Sequence, residues 1–260
     1  MFKYLKVWLN LTSASFQSFF LSRVGAVLFL SGKIIRFSFY LLFLVMLVSK
    51  SSLLAGFTLW QVIFFYMTYN LIDSTTQMLF REVYRFRSQV LSGDFDYILL
   101  KPVNPLFRIL FGGADFLDLI TLVPFCLFII FVGTKISGVT IIGVFLYIAL
   151  VLNALVIATS FHIFVMALAV LTTEIDHAIM IYRDFISMGR MPVDIYAEPL
   201  RFFITFIIPV GLMMTFPVKA MSGLISFSGI ITAFVIALGL LFASMGFWRF
   251  ALSRYTSASS

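Results

Sequence analysis

Asp115 and Asp118 stand three residues apart, one helical turn, at the head of an apolar run; carboxylates so placed at a membrane edge can recognise a cation or gate a cavity. A second group, Glu174, Asp176, His177, Arg183 and Asp184, crowds a polar stretch between apolar segments. Ionisable side chains at such positions mark function by default, and the competing arrangement is a set of ion pairs, Arg108 or Arg36 with Asp115 and Arg183 with Asp176 or Asp184. Glu174, Asp176 and His177 make a poor metal site, because adjacent residues 176 and 177 point to different faces of a helix and no second histidine is near. His162 lies within an apolar run and reads as a packed polar side chain rather than a proton relay. No serine stands in a nucleophile elbow, and the single cysteine, Cys126, reads as a small buried hydrophobe, so no catalytic residue and no metal ligand is expected.

The other concentration of chemistry is REVYRFRSQVLSGDFDYILLKPVNPLF, residues 81 to 107, a charged island between greasy segments. Arg81, Glu82 and Arg85 fall at helical spacing with Val83, Tyr84 and Phe86. Gly93 and Asp94 interrupt the pattern, and Pro102, Asn104 and Pro105 form a stiff turn back toward apolar sequence. A plain solvated loop has no use for Phe86, Phe95, Tyr97, Ile98 and Leu99; a surface that docks another protein does.

The elements that must position these residues are membrane spans. The chain is 62% hydrophobic, 18% aromatic with 33 Phe, and only 11% charged. Its mean hydropathy is +1.10, the profile of a protein solvated mostly by lipid. At roughly 20 residues per crossing, 260 residues supply about six spans and no separate soluble catalytic domain. Hydropathy predicts spans over 34–49, 53–73, 107–132, 139–171 and 222–247, with the fifth crossing at either 174–190, which is polar, or 201–217, which Pro209 interrupts. Before them, Leu5, Trp8, Leu9, Thr12, Phe16 and Phe19 recur at helical spacing beside Lys3 and Lys6, which predicts an interfacial helix over 4–22.

Orientation follows from the basic residues. Lys3, Lys6, Arg23, Lys33, Arg36, Arg81, Arg85, Arg87, Lys101, Arg108, Arg249 and Arg254 fall on one side, against Lys50 and Lys135 on the other. The positive-inside rule then makes both termini and the island cytoplasmic. That bias accounts for the +7 net charge without nucleic acid, for which no folded basic surface or aromatic platform is visible.

The run SGDFDYILLKPVNPLF resembles the signature between the second and third spans of a subfamily of bacterial type-2 ABC exporter permeases, an R-x-G-x-x-D-x-x-L-x-R-P-x-x-P-L type of pattern. Trp248, Arg249 and the ending RYTSASS are similar to that subfamily's C-terminus, and MPVDIY with FIIPVGLMMTFPVKAM to its penultimate region. Lys101 departs from the arginine expected in many members, keeping charge but not bidentate geometry. The resemblance implies an all-α polytopic membrane protein, one permease domain over 1–260 in the bacterial cytoplasmic membrane, with six spans, a coupling helix over 81–99 and re-entrant helices over 191–217. It also favours 174–190 as span five. It implies an ATP-driven exporter of a hydrophobic or amphipathic substrate (drug, peptide or lipid), in which this permease pairs with a second copy or a sister subunit. ATP and magnesium would sit on a separate ATPase subunit, in keeping with the lack of a G-x-x-x-x-G-K-[ST] phosphate loop here. Arg81, Glu82, Arg85, Phe86, Arg87, Asp94, Asp96 and Lys101 would then couple to that subunit. The alternative is an ATP-independent carrier or membrane scaffold, with the island as a gate or regulatory loop.

Overall fold

A computed structural model describes residues 2–20, 23–51, 53–172 and 175–256, and every regular element among them is helical. In chain order these are α1 (Phe2–Phe20), α2 (Arg23–Ser51), α3 (Leu59–Leu79), α4 (Phe86–Leu91), α5 (Asp94–Leu99), α6 (Pro105–Leu110), α7 (Phe116–Gly133), α8 (Ile141–Thr172), α9 (Ile175–Met188), α10 (Leu200–Phe202), α11 (Val210–Met221) and α12 (Phe227–Ser253). A 3-10 turn at Arg81–Arg85 joins α3 to α4, a second lies at Val193–Ile195, and a π-helical turn at Phe203–Ile207 extends α10.

Four of these helices, α2, α7, α8 and α12, are long and apolar enough to cross a bilayer, and the bent pair Leu200–Ile207 and Val210–Met221 makes a fifth if it is one span. α3, at 21 residues, reaches about 31 Å, but Asn70, Asp73, Ser74, Thr75, Thr76 and Gln77 make it polar. It starts at Leu59 rather than residue 53, because Gln61 accepts a hydrogen bond from the Thr58 backbone N–H at 2.8 Å and fixes the first turn there. The third crossing begins at Phe116, not 107: Asn104 caps the separate helix α6, Pro105 occupies its first position, and Asp115 caps α7. α9 has 14 residues, about 21 Å, short of a full span.

The core is α3, α8 and α11, with α12 packed along α8 and α7 along α3. Ala154, Ala158, Ala233, Ala237 and Ser244 are buried at these contacts, and small side chains let helices approach closely where lipid supplies no hydrophobic drive. Asn153 adds a hydrogen bond to the Ala233 carbonyl at 3.1 Å. α11 is buried along most of its length. It meets α10 and its π turn at 91°, an elbow at which a Cβ on Gly211 would come within 2.8 Å of Thr205 Oγ1. The Lys219–Asp194 pair at 2.7 Å and the Val193 N–H on Thr215 Oγ1 at 3.1 Å close the loop over 191–217 onto α11.

One end of the bundle collects α1, the island and the tail. Tyr4 packs edge-on against Phe107 and Phe16 against Phe116, the Ala114 N–H bonds Thr12 Oγ1, and the Lys3 ammonium reaches the Pro102 carbonyl. Phe2, Leu5 and Leu9, on the same apolar side of α1, remain exposed. Cys126 is exposed on α7 rather than buried.

Candidate functional site

The island divides at two points. Phe80 ends α3 and the 3-10 turn follows; then Gly93, at φ +78°, separates α4 from α5. The positive φ favours a residue without Cβ, so the break lies where the sequence places glycine. The fold brings the underside of both short helices onto α12: Phe86 and Phe95 are fully buried, 5.1 Å apart edge-to-face. Trp248 lies 6.4 Å from each, and Tyr255 lies 5.0 Å from Phe95. The Asp96 carboxylate sits beside Tyr255, whose hydroxyl burial, then that carboxylate, pushes up to about 12.

The outer side of the island carries Leu91, Tyr97 and Leu100, all exposed, with Arg85, Asp94 and Lys101. The residues picked out from sequence therefore separate. Phe86 lies beneath the surface, Arg87 and Asp96 are half-buried, and Glu82 turns inward to accept from Gln89 Nε2 at 2.7 Å. Arg81 pairs with Asp115 at 3.3 Å, leaving Arg85, Asp94 and Lys101 of that set on the outer face. Tyr97, Leu91 and Leu100 carry most of the exposed apolar surface, and helical phase against buried Phe95 and Ile98 would have found Tyr97.

The acidic pair of α7 is structural. Asp115 Oδ1 accepts from the backbone N–H groups of Leu117 and Asp118 at 2.8 and 3.3 Å, capping the helix, while its other oxygen takes Arg81. Asp118 is buried and paired with Lys33 of α2. Ion pairs thus form: Asp115 takes Arg81 rather than the expected Arg108 or Arg36, and Asp118 takes Lys33. His162 is packed between Phe80 and Tyr182, ring centroids 4.7 and 4.8 Å away, and bonds the Ala158 carbonyl through Nδ1. Glu174 and the side chains of Asp176 and His177 lie outside the described residues, and among those described no three His, Cys, Asp or Glu converge on a metal position.

A family model for ABC-2 family transporter proteins matches residues 34–259. The chain belongs to this family. It is accordingly a multi-pass membrane permease of an ABC-type transporter, a channel-forming subunit that works with an ATP-binding partner subunit. No curated protein and no solved structure matches the permease.

Between α2, α3 and α9 the permease has a polar cleft that its sequence did not announce. Tyr66, Tyr69, Asp73, Thr76 and Gln77 form one helical stripe on α3. Asp73 accepts from Gln77 Nε2 at 2.8 Å, and the Tyr69 hydroxyl accepts from Arg190 Nε at 3.4 Å. Arg36 of α2 and Arg183 of α9 line the same space. The signal that would have found it is the lone carboxylate Asp73 within a span, four residues from Tyr69 and from Gln77.

Proposed function

We propose that this permease is the membrane half of an ATP-driven exporter in the bacterial cytoplasmic membrane, with its termini and island cytoplasmic, moving an amphipathic substrate outward by alternating access. The observation that carries this reading is the two-sided island. Its outer face offers Tyr97, Leu91 and Leu100 within a charged rim, the composition of a docking patch, while its inner face is wedged by Phe86 and Phe95 against Trp248 of a spanning helix. A push on the island by an ATPase subunit holding ATP and magnesium would thereby reach α12, and through it α8. The gathering of Lys3, Lys6, Arg81, Arg85, Lys101 and Arg254 at the island end, with Lys50 and Lys135 elsewhere, supports that end as cytoplasmic. A half-permease needs a partner, and α2, the least buried of the candidate spans with about half of its apolar residues exposed, is the surface most in want of one, supplied by a second copy or a sister permease.

The test is a mild-detergent pull-down of the tagged permease from its native membrane with mass spectrometry of what accompanies it. An ABC ATPase is the expected companion, and any second permease recovered names the pairing. Its reproducible absence would favour an ATP-independent carrier or scaffold.

A further inference from the structure

Three arginines, Arg36, Arg183 and Arg190, line the cleft between α2, α3 and α9, and Asp73 is the carboxylate that lines it with them. Among the described residues no carboxylate stands within ion-pair distance of any of the three, in contrast to Lys33, Arg81, Arg85, Arg201 and Lys219, each of which has its acid. Arg36 lies thirteen residues into α2, about 20 Å along a helix some 43 Å long, and so within the bilayer's thickness when α2 spans it. An arginine at that depth without a counter-ion is costly unless it faces a wet cavity or an anionic ligand.

The cavity is there. Next to the arginine cluster, spaces of about 380 and about 280 Å³ share Gln77 and Arg183 with it; the larger runs out to Arg81 and Arg85 at the island, and the smaller holds Arg36 with Lys33. They are sized for a small ligand or headgroup. The outer wall of the smaller space is Leu28, Phe29 and Gly32 of α2, whose neighbouring face presents exposed Val24, Val27, Ile35 and Phe39. Inward from the arginines, Tyr66 stacks on Phe37 at 5.3 Å and lies parallel to Tyr69 at 6.5 Å. The geometry points to a site for an anionic phosphorylated headgroup, held by the forks of Arg36 and Arg183, with the apolar part of the same amphiphile along α2. Guanidinium groups match phosphate oxygens bidentately, and among the described residues neither of these two has a carboxylate within ion-pair distance. The inference deepens the exporter reading by giving its substrate an anionic headgroup, and rests on that reading for transport, though not for binding.

The test titrates the purified full-length permease, in neutral detergent, with phosphatidylglycerol, with zwitterionic phosphatidylcholine, and with inorganic phosphate as competitor. Phosphatidylglycerol binding at least tenfold tighter than phosphatidylcholine is expected, with about a ten- to hundredfold loss in Arg36→Gln/Arg183→Gln, the range for losing a charged hydrogen bond. Gly32→Trp serves as the variant that keeps the fold, since a Cβ at Gly32 meets nothing within 4 Å, and it should occlude the site. Asp73→Asn, which removes the opposing charge, should tighten binding. Displacement of lipid by millimolar inorganic phosphate would keep the anion site and assign it to a soluble phosphorylated ligand. Equal binding of the two lipids, or full binding by both the arginine and the Gly32 variants, would overturn it. Recovery of the ATPase with the same preparations reports separately on the exporter reading, so the two can fail independently.

Discussion

Phe95 of α5 packs edge-on against Tyr255, ring centroids 5.0 Å apart, and so joins the charged island to the segment that follows α12. Aromatic pairs of this geometry contribute about 0.5–1.5 kcal/mol beyond the area they bury. With Phe86 and Trp248 they make the island part of the α12 packing unit rather than a pendant loop.

The two faces of the island should respond differently to substitution. Phe95→Ala empties a fully buried site and should cost about 3–5 kcal/mol, read as a lower unfolding temperature in detergent. Tyr97→Ala, on the exposed side, should change stability by about 0.5 kcal/mol or less while weakening ATPase co-purification, as expected of an exposed aromatic anchor. Undiminished ATPase recovery with Tyr97→Ala would place docking elsewhere.

The Lys33–Asp118 pair ties α2, the least buried of the candidate spans, to α7. Asp118→Asn strands the Lys33 ammonium and should destabilise by about 3–5 kcal/mol, whereas Lys33→Met combined with Asp118→Leu should recover most of that loss. A double variant no better than the single one would show that the charge itself, not its pairing, is required.

At the elbow between the π turn and α11, Gly211→Val should lower the unfolding midpoint by the equivalent of about 1–3 kcal/mol, because a Cβ there already closes to 2.8 Å on Thr205 Oγ1. Thr205→Ala in the same chain should relieve part of the loss.

Tyr255 gives a pH signature. An unfolded tyrosine titrates near 10, and in the fold the hydroxyl is pushed up to about 12, by burial first and by Asp96 second. The folded state therefore favours the neutral phenol, so this contribution is fully present below pH 10 and is lost as pH rises through 12. Trp248 fluorescence followed from pH 9 to 12 should report the tail loosening, and Tyr255→Phe should remove that phase.

Much of the architecture was legible without coordinates. A run of apolar residues long enough to cross a bilayer is a local property, and α2, α7, α8 and α12 follow from it; the helix α1 and the break at Gly93 follow from helical spacing and from glycine. Segments whose polarity is satisfied by neighbours were harder to place. Hydropathy predicts a span over 53–73, but the helix runs on to Leu79 through Asn70, Asp73 and Gln77, whose polar groups are answered within α3 itself, and α9 stops at Met188, where Gly189 lets the chain press on Val210 and Met214.

Composition and periodicity by themselves determined that this is an all-helical membrane protein with a charged island and a basic side, since burial in lipid constrains each segment separately. Only the tertiary structure decided which way Phe86, Phe95 and Tyr97 face, that Arg81 and Lys33 answer Asp115 and Asp118, and that Arg36, Arg183 and Arg190 meet around Asp73. Those outcomes depend on the rotation of one helix against another, which packing between residues far apart in sequence sets and no single segment encodes.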